Sequence, residues 1–145
     1  MLVDPPLFIC SSGPFDLYLA NGNNWIVKKD GYEADTLALQ TGTTLGWLPL
    51  LEQAYPVFRA QVLAGLQRHA PDSSETLATF PLKALLRLAL TSASAYWVEL
   101  ALAWAVYDSV DEEMQALFSA LMVDKTLPQR VRHQAKRLLY RQSTP

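Results

Sequence analysis

Residues 14–29, PFDLYLANGNNWIVKK, admit two readings, and the choice between them weighs most on the fold. Phe15, Leu17 and Leu19 alternate with Asp16, Tyr18 and Ala20, the two-residue period of a strand with one buried face. Asn21-Gly22-Asn23-Asn24 can then turn this strand into a second one, Trp25 to Lys29, as a hairpin. Pro14, however, also suits the first turn of a helix and Gly22 a helix stop, so residues 14–21 fit a helix as well. Local chemistry leaves both open.

The rest of the chain reads as helix. Glu33 to Gln40 forms a short helical stretch closed by Thr41-Gly42, and Pro49 and Pro56 suit helix starts. Phe58, Val62 and Leu66 give an apolar stripe that ends at the loop Ala70 to Ser74. After Pro81, Leu82, Leu85, Leu86, Ala89 and Leu90 fall at helical spacing, and Thr91 to Ser94 breaks the pattern. The next helix, about Ala95 to Tyr107, is apolar nearly all round, as expected of a helix in the middle of a bundle. Its one acid, Glu99, lies on the least bulky line, Ala95, Ala103 and Val106, so that line is its open side, with Glu99 exposed or paired to an arginine such as Arg87. Ser109 to Glu112 has the spacing of a capping box, and Thr126 to Gln129 repeats the device. Connections of three or four residues make these helices antiparallel to their neighbours. The pattern predicts a mainly all-α single domain over 1–145: an irregular or hairpin segment over 1–35, then a helical body over 36–142.

A chain of 145 residues, half of them hydrophobic, can bury a core without metal or disulfide. The longest uncharged apolar run, Leu100 to Tyr107, falls far short of the roughly 20 residues a membrane span needs. The N-terminus lacks the basic and apolar regions of a leader, and Cys10 is the only cysteine, so a cytoplasmic location is expected. The net charge of −2 is unevenly spread. From Lys125 onward there are six Lys or Arg and no acid, while the preceding residues set six bases against fourteen acids, a net of −8.

Residues that carry chemistry are sparse. Glu99 has no titratable partner within helical reach, which acid–base work needs. Cys10 or Ser12 with His69 is conceivable as a nucleophile, yet nothing local orients them. His69 and His133 fall in no metal-binding spacing, and Gly42 to Gly46 lacks the lysine of a phosphate loop. No catalytic, cofactor or metal residue, and no enzymatic activity, is expected. Arg130, His133, Arg137 and Arg141 form one basic ridge of the last helix, with Arg132 and Lys136 on another. With no exposed aromatic interleaved among them, nucleic acid is the less favoured use of this helix. Asp30, Glu33 and Asp35 flank a Gly31-Tyr32 turn, and Asp108, Asp111, Glu112 and Glu113 crowd a helix start. Exposed acids beside an aromatic suit the docking of a basic protein, which makes Asp30, Tyr32, Glu33, Asp35, Asp108, Asp111 and Glu112 the candidate partner-binding residues.

Two resemblances add to this. Leu127 to Ala135, LPQRVRHQA, preceded by the turn Met122 to Lys125, resembles the second helix of a HEAT-type repeat. Residues 81–107 look like a degenerate copy with Trp97-Val98-Glu99 in place of Val-Arg, about 32 residues earlier. This resemblance implies helical hairpins stacked in a HEAT-like bundle. Leu88 to Trp104, LALTSASAYWVELALAW, is similar to a segment of small immunity proteins from bacterial toxin–immunity systems, including contact-dependent growth inhibition. It is carried by Ser92, Ser94, Tyr96, Trp97, Leu100, Ala101, Leu102 and Trp104, mainly core positions, and brings no functional residue with it. It implies a cytosolic protein that binds and neutralises a cognate toxin domain, with a basic nuclease as the expected partner. The alternatives are a helical adaptor for an endogenous protein, or a nucleic-acid binder through the basic helix.

Overall fold

Two turns set the N-terminal architecture. Gly13, at φ 58°, and Pro14 join the paired residues Ser12 and Phe15; Asp30 and Gly31, at φ 46° and 85°, join Lys29 and Tyr32. A left-handed residue at the first loop position, or at both, forms the tight turn whose twist matches that of its flanking strands. The computed structural model describes residues 5–20, 24–41, 46–108 and 110–141. Over the first two of these run β1 (Leu7–Ser12), β2 (Phe15–Ala20), β3 (Asn24–Lys29) and β4 (Tyr32–Asp35), antiparallel neighbours in chain order.

This corrects the expectation of a mainly all-α HEAT-like bundle: the described residues form a mixed fold, a four-stranded antiparallel sheet followed by six α-helices. The helix reading of residues 14–21 fails and the hairpin reading holds, with Leu17 opposite Val27 and Leu19 opposite Trp25. The physical reason is burial. Phe15 and Leu17 must enter one core with Trp25 and Val27, all at most 2% exposed. A helix would turn residues two apart to nearly opposite sides.

After the sheet come α1 (Thr36–Gln40), a 3-10 turn (Leu48–Glu52), α2 (Tyr55–His69), a 3-10 segment (Pro71–Thr79) where a loop was expected, α3 (Leu82–Leu90), α4 (Ala95–Ala105), α5 (Glu112–Met122) and α6 (Gln129–Arg141). The eight residues expected in a helix over 33–40 are divided: Glu33 to Asp35 belong to β4, and only Thr36 to Gln40 are helical. The chain forms two compact units, Met1–Leu85 and Leu86–Pro145, and α3 crosses the boundary.

In the N-terminal unit α2 packs against β1. Gly65 permits the close approach, because a Cβ there would collide with the carbonyl oxygen of Ile9. Phe58, Val62 and Leu66 of α2 are buried as their spacing predicts. The ring of Phe80 gathers Phe58, Trp25 and Trp47 at 5.0, 5.5 and 5.9 Å between centroids. Fully burying an aromatic or branched side chain of this kind contributes about 1.5–3 kcal/mol. Polar groups inside this unit are bonded to one another. Trp25 Nε1 donates to Thr79 Oγ1 at 3.1 Å, and the fully buried Ser12 hydroxyl donates to Gln61 Oε1 at 2.7 Å while accepting from Gln53 Nε2. Among the described residues of this unit the indole N–H of Trp47 is the exception, buried without a partner.

In the C-terminal unit the core is apolar: Val98, Ala101, Leu102 and Trp104 of α4, Met114, Phe118 and Leu121 of α5, and Val131, Ala135 and Leu138 of α6. Ser94 caps α4 by accepting from Trp97 N. The cap of α5 is Asp111, whose carboxylate accepts from Met114 N at 2.9 Å, so the box expected from Ser109 is displaced; Ser109 itself lies outside the described residues. Glu99 pairs with Arg130 at 3.0 Å, whereas Arg87 pairs with Glu113 at 3.1 Å. Arg141 Nη2 donates to the carbonyl of Val106 at 3.1 Å. Arg130, at the start of α6, thus reaches the middle of α4, and Arg141, at the end of α6, reaches the C-terminal end of α4, so the two helices run in the same direction.

Candidate functional site

The seven candidate residues fall into two sets, one in each unit. In the C-terminal unit the acids are largely taken up by the fold. Asp111 is the α5 cap, Glu112 lies exposed in the first turn of α5 where the helix dipole favours a negative charge, and one carboxylate oxygen of Asp108 is buried without a partner. In the N-terminal unit Asp35 caps α1, accepting from Ala38 N at 2.9 Å. Asp30, Tyr32 and Glu33 remain, all exposed, and they stand together at the tip of the β3–β4 hairpin.

This tip is built for rigidity. The left-handed pair Asp30-Gly31 makes a two-residue loop, and Asp tolerates that conformation better than most residues. Tyr32 is 37% exposed and its ring end rests where a Cβ on Gly46 would stand, so the glycine holds space for the phenol. Glu33 is opposite Lys28 in the strand register, but the Lys28 ammonium sits over the Tyr18 ring, 4.4 Å from its centroid. Among the described residues neither Asp30 nor Glu33 enters an ion pair. Two carboxylates and an aromatic ring therefore reach solvent from a pinned turn on a sheet edge, since β4 pairs with β3 alone. The turn expected at Gly31-Tyr32 lies one residue earlier, and the signal for it is the dipeptide Asp30-Gly31, a pair suited to a two-residue hairpin loop.

The nucleophile reading meets chemistry that opposes it. Cys10 and His69 share the wall of a cleft between β1 and α2 with Phe8, Gln61 and Arg68. Burial, and then the negative charge of Asp16, push the Cys10 thiol up to about 11, so at neutral pH it stays protonated and poorly nucleophilic. The His69 ring stands edge-on to Phe8, 5.6 Å between centroids, and Ser12 spends its hydroxyl on two glutamines. Glu99 is an ion-pair partner on the open side of α4. Among the described residues no group of three or more His, Cys, Asp or Glu is placed to hold a metal ion, and no helix is long and apolar enough to cross a membrane.

One expectation about the basic helix is corrected. Tyr140, 51% exposed, interleaves with the bases of α6, and Lys136 lies 5.9 Å from its ring centroid. Tyr107, just beyond α4, is 55% exposed.

Compared with protein-family models, with curated proteins and with solved structures, the chain matches none of them.

Proposed function

We propose that the protein is a cytosolic immunity-type protein that binds a cognate toxin domain in one-to-one association and neutralises it. The observation that carries this reading is the β3–β4 tip, where Asp30, Tyr32 and Glu33 are exposed on a turn that the fold holds still. A preorganised aromatic anchor gives contact area at little entropic cost, and unneutralised carboxylates around it favour a cationic partner such as a nuclease domain. The raised thiol of Cys10 fits a protein whose work is association rather than nucleophilic chemistry. Asp35 and Asp111 are spent on capping their own helices, and the partner is read chiefly by Asp30, Tyr32 and Glu33.

Neutralisation of toxicity tests the reading. The chain is co-expressed with the candidate toxin domain encoded beside its own gene. Wild type restores growth, and reversing both charges at the tip, Asp30→Lys with Glu33→Lys, abolishes the protection while the variant stays folded. A neighbouring product that the chain neither binds nor neutralises overturns the immunity reading. Protection that survives charge reversal overturns the assignment of the tip.

A further inference from the structure

We infer that the solvent face of α6, with the end of α4 beside it, binds single-stranded nucleic acid, independently of the β3–β4 tip. The helix QRVRHQAKRLLYR contains five Lys or Arg, one His and no acid. Val131, Ala135 and Leu138 point into the core, and on the opposite side Arg130, His133, Lys136, Arg137, Tyr140 and Arg141 are all exposed. At helical spacing the ridge 130, 133, 137, 141 sets neighbours about 5–6 Å apart. Over eleven residues it extends about 16 Å.

Helix electrostatics alone do not account for this pattern. Cations complement a helix dipole only in the last turn, yet Arg130 and Arg132 stand in the first turns, where that dipole disfavours them. Intramolecular pairing does not consume the charge either. Glu99 takes Arg130, and Arg141 caps the carbonyl of Val106 at the end of α4. His133, Lys136 and Arg137 enter no ion pair among the described residues. Even Arg130, though paired, leaves 73% of its side chain in solvent.

The aromatic rings select the kind of polyanion. Tyr140 lies between Lys136 and Arg137 on one side and Arg141 on the other, with half its surface exposed. The Arg141–Val106 contact brings the end of α4, with Val106 and Tyr107 at 37% and 55% exposure, alongside the same end of α6. An acidic peptide has little use for half-exposed rings beside the cations. A single strand uses both, phosphates on the bases and nucleobases stacked on the rings. In duplex DNA the base faces are already stacked, which leaves the rings without a role.

The test is fluorescence anisotropy of the full chain with a labelled oligothymidylate of about 20 nucleotides. About three phosphate contacts predict a log–log salt slope near −2, a fall of about fifteenfold in affinity between 50 and 200 mM salt. Lys136→Glu with Arg137→Glu weakens binding at least tenfold and flattens the slope, and the milder Lys136→Gln with Arg137→Gln does so to a smaller extent if the reversal disturbs folding. Tyr140→Ala weakens binding about tenfold and leaves the slope unchanged, the signature of lost stacking rather than lost charge. Asp30→Asn with Glu33→Gln leaves it intact. No binding at about 50 mM salt overturns the proposal. So does duplex bound as tightly as single strand with Tyr140→Ala neutral. A polyglutamate peptide that displaces the oligonucleotide equally well overturns it in favour of an acidic protein segment.

Discussion

Ser12 in the N-terminal unit has none of its surface in water and is bonded by Gln53 and Gln61, side chains 41 and 49 residues away in sequence. In the C-terminal unit the side-chain bridges between helices, Arg87–Glu113 and Glu99–Arg130, lie in solvent over a core of Leu, Ala, Val, Phe and Trp. The difference bears on how each unit holds its arrangement. A buried hydroxyl is costly unless its partners are present, so the Ser12 network penalises any displacement of β1 from the segments that carry the glutamines. An apolar core with exposed ion pairs is held by volume and shape, and its surface charges are left to meet partners.

The largest effect expected from breaking this comparison is at Gly65. Gly65→Ala drives a methyl group into the Ile9 carbonyl and costs about 3 kcal/mol or more, read from urea unfolding and from loss of amide protection in β1. A cost below about 1 kcal/mol would mean that α2 does not bear on β1 as described. Ser12→Ala comes next: it leaves Gln53 and Gln61 without their shared hydroxyl and costs about 1–3 kcal/mol, more than the lost methylene-sized contacts explain. A neutral result would remove the claim that the network specifies this unit. The smallest is Glu99→Gln, where the pair with Arg130 is half in water, and stability shifts by no more than about 0.5 kcal/mol. A shift comparable to that of Ser12→Ala would erase the contrast between the units.

The same contrast explains what the sequence made legible. α2, α5 and α6 follow from apolar stripes, because each has one face in a core and a period of 3.6 residues records that directly, while α4 follows from being apolar nearly all round. The sheet hides its period. In β3 the consecutive residues Trp25, Ile26 and Val27 are all buried, in β1 a bulge between Phe8 and Cys10 interrupts the alternation, and β4 is only four residues long. At the candidate site the turn was visible in Asp30-Gly31, while the support of Tyr32 by Gly46 is a contact between distant segments that no local pattern encodes. Asp35 and Asp111 cap helices, and a capping carboxylate looks like any other surface acid in sequence. Tyr140 falls at helical spacing from Lys136 and Arg137, but spacing alone does not separate a ring in the core from one on the basic face.

The central claim, that the β3–β4 tip is the protein-binding surface, is tested most directly by quantitative capture from host lysate at about 0.15 M salt, where loose charge pairing is screened. Wild type, Asp30→Asn/Tyr32→Ala/Glu33→Gln and Lys136→Gln/Arg137→Gln are compared side by side, and bound proteins are identified and counted by mass spectrometry. The account predicts one basic protein at one-to-one stoichiometry on wild type and on the α6 variant, and its loss from the tip variant. The same protein retained in full by the tip variant would contradict it.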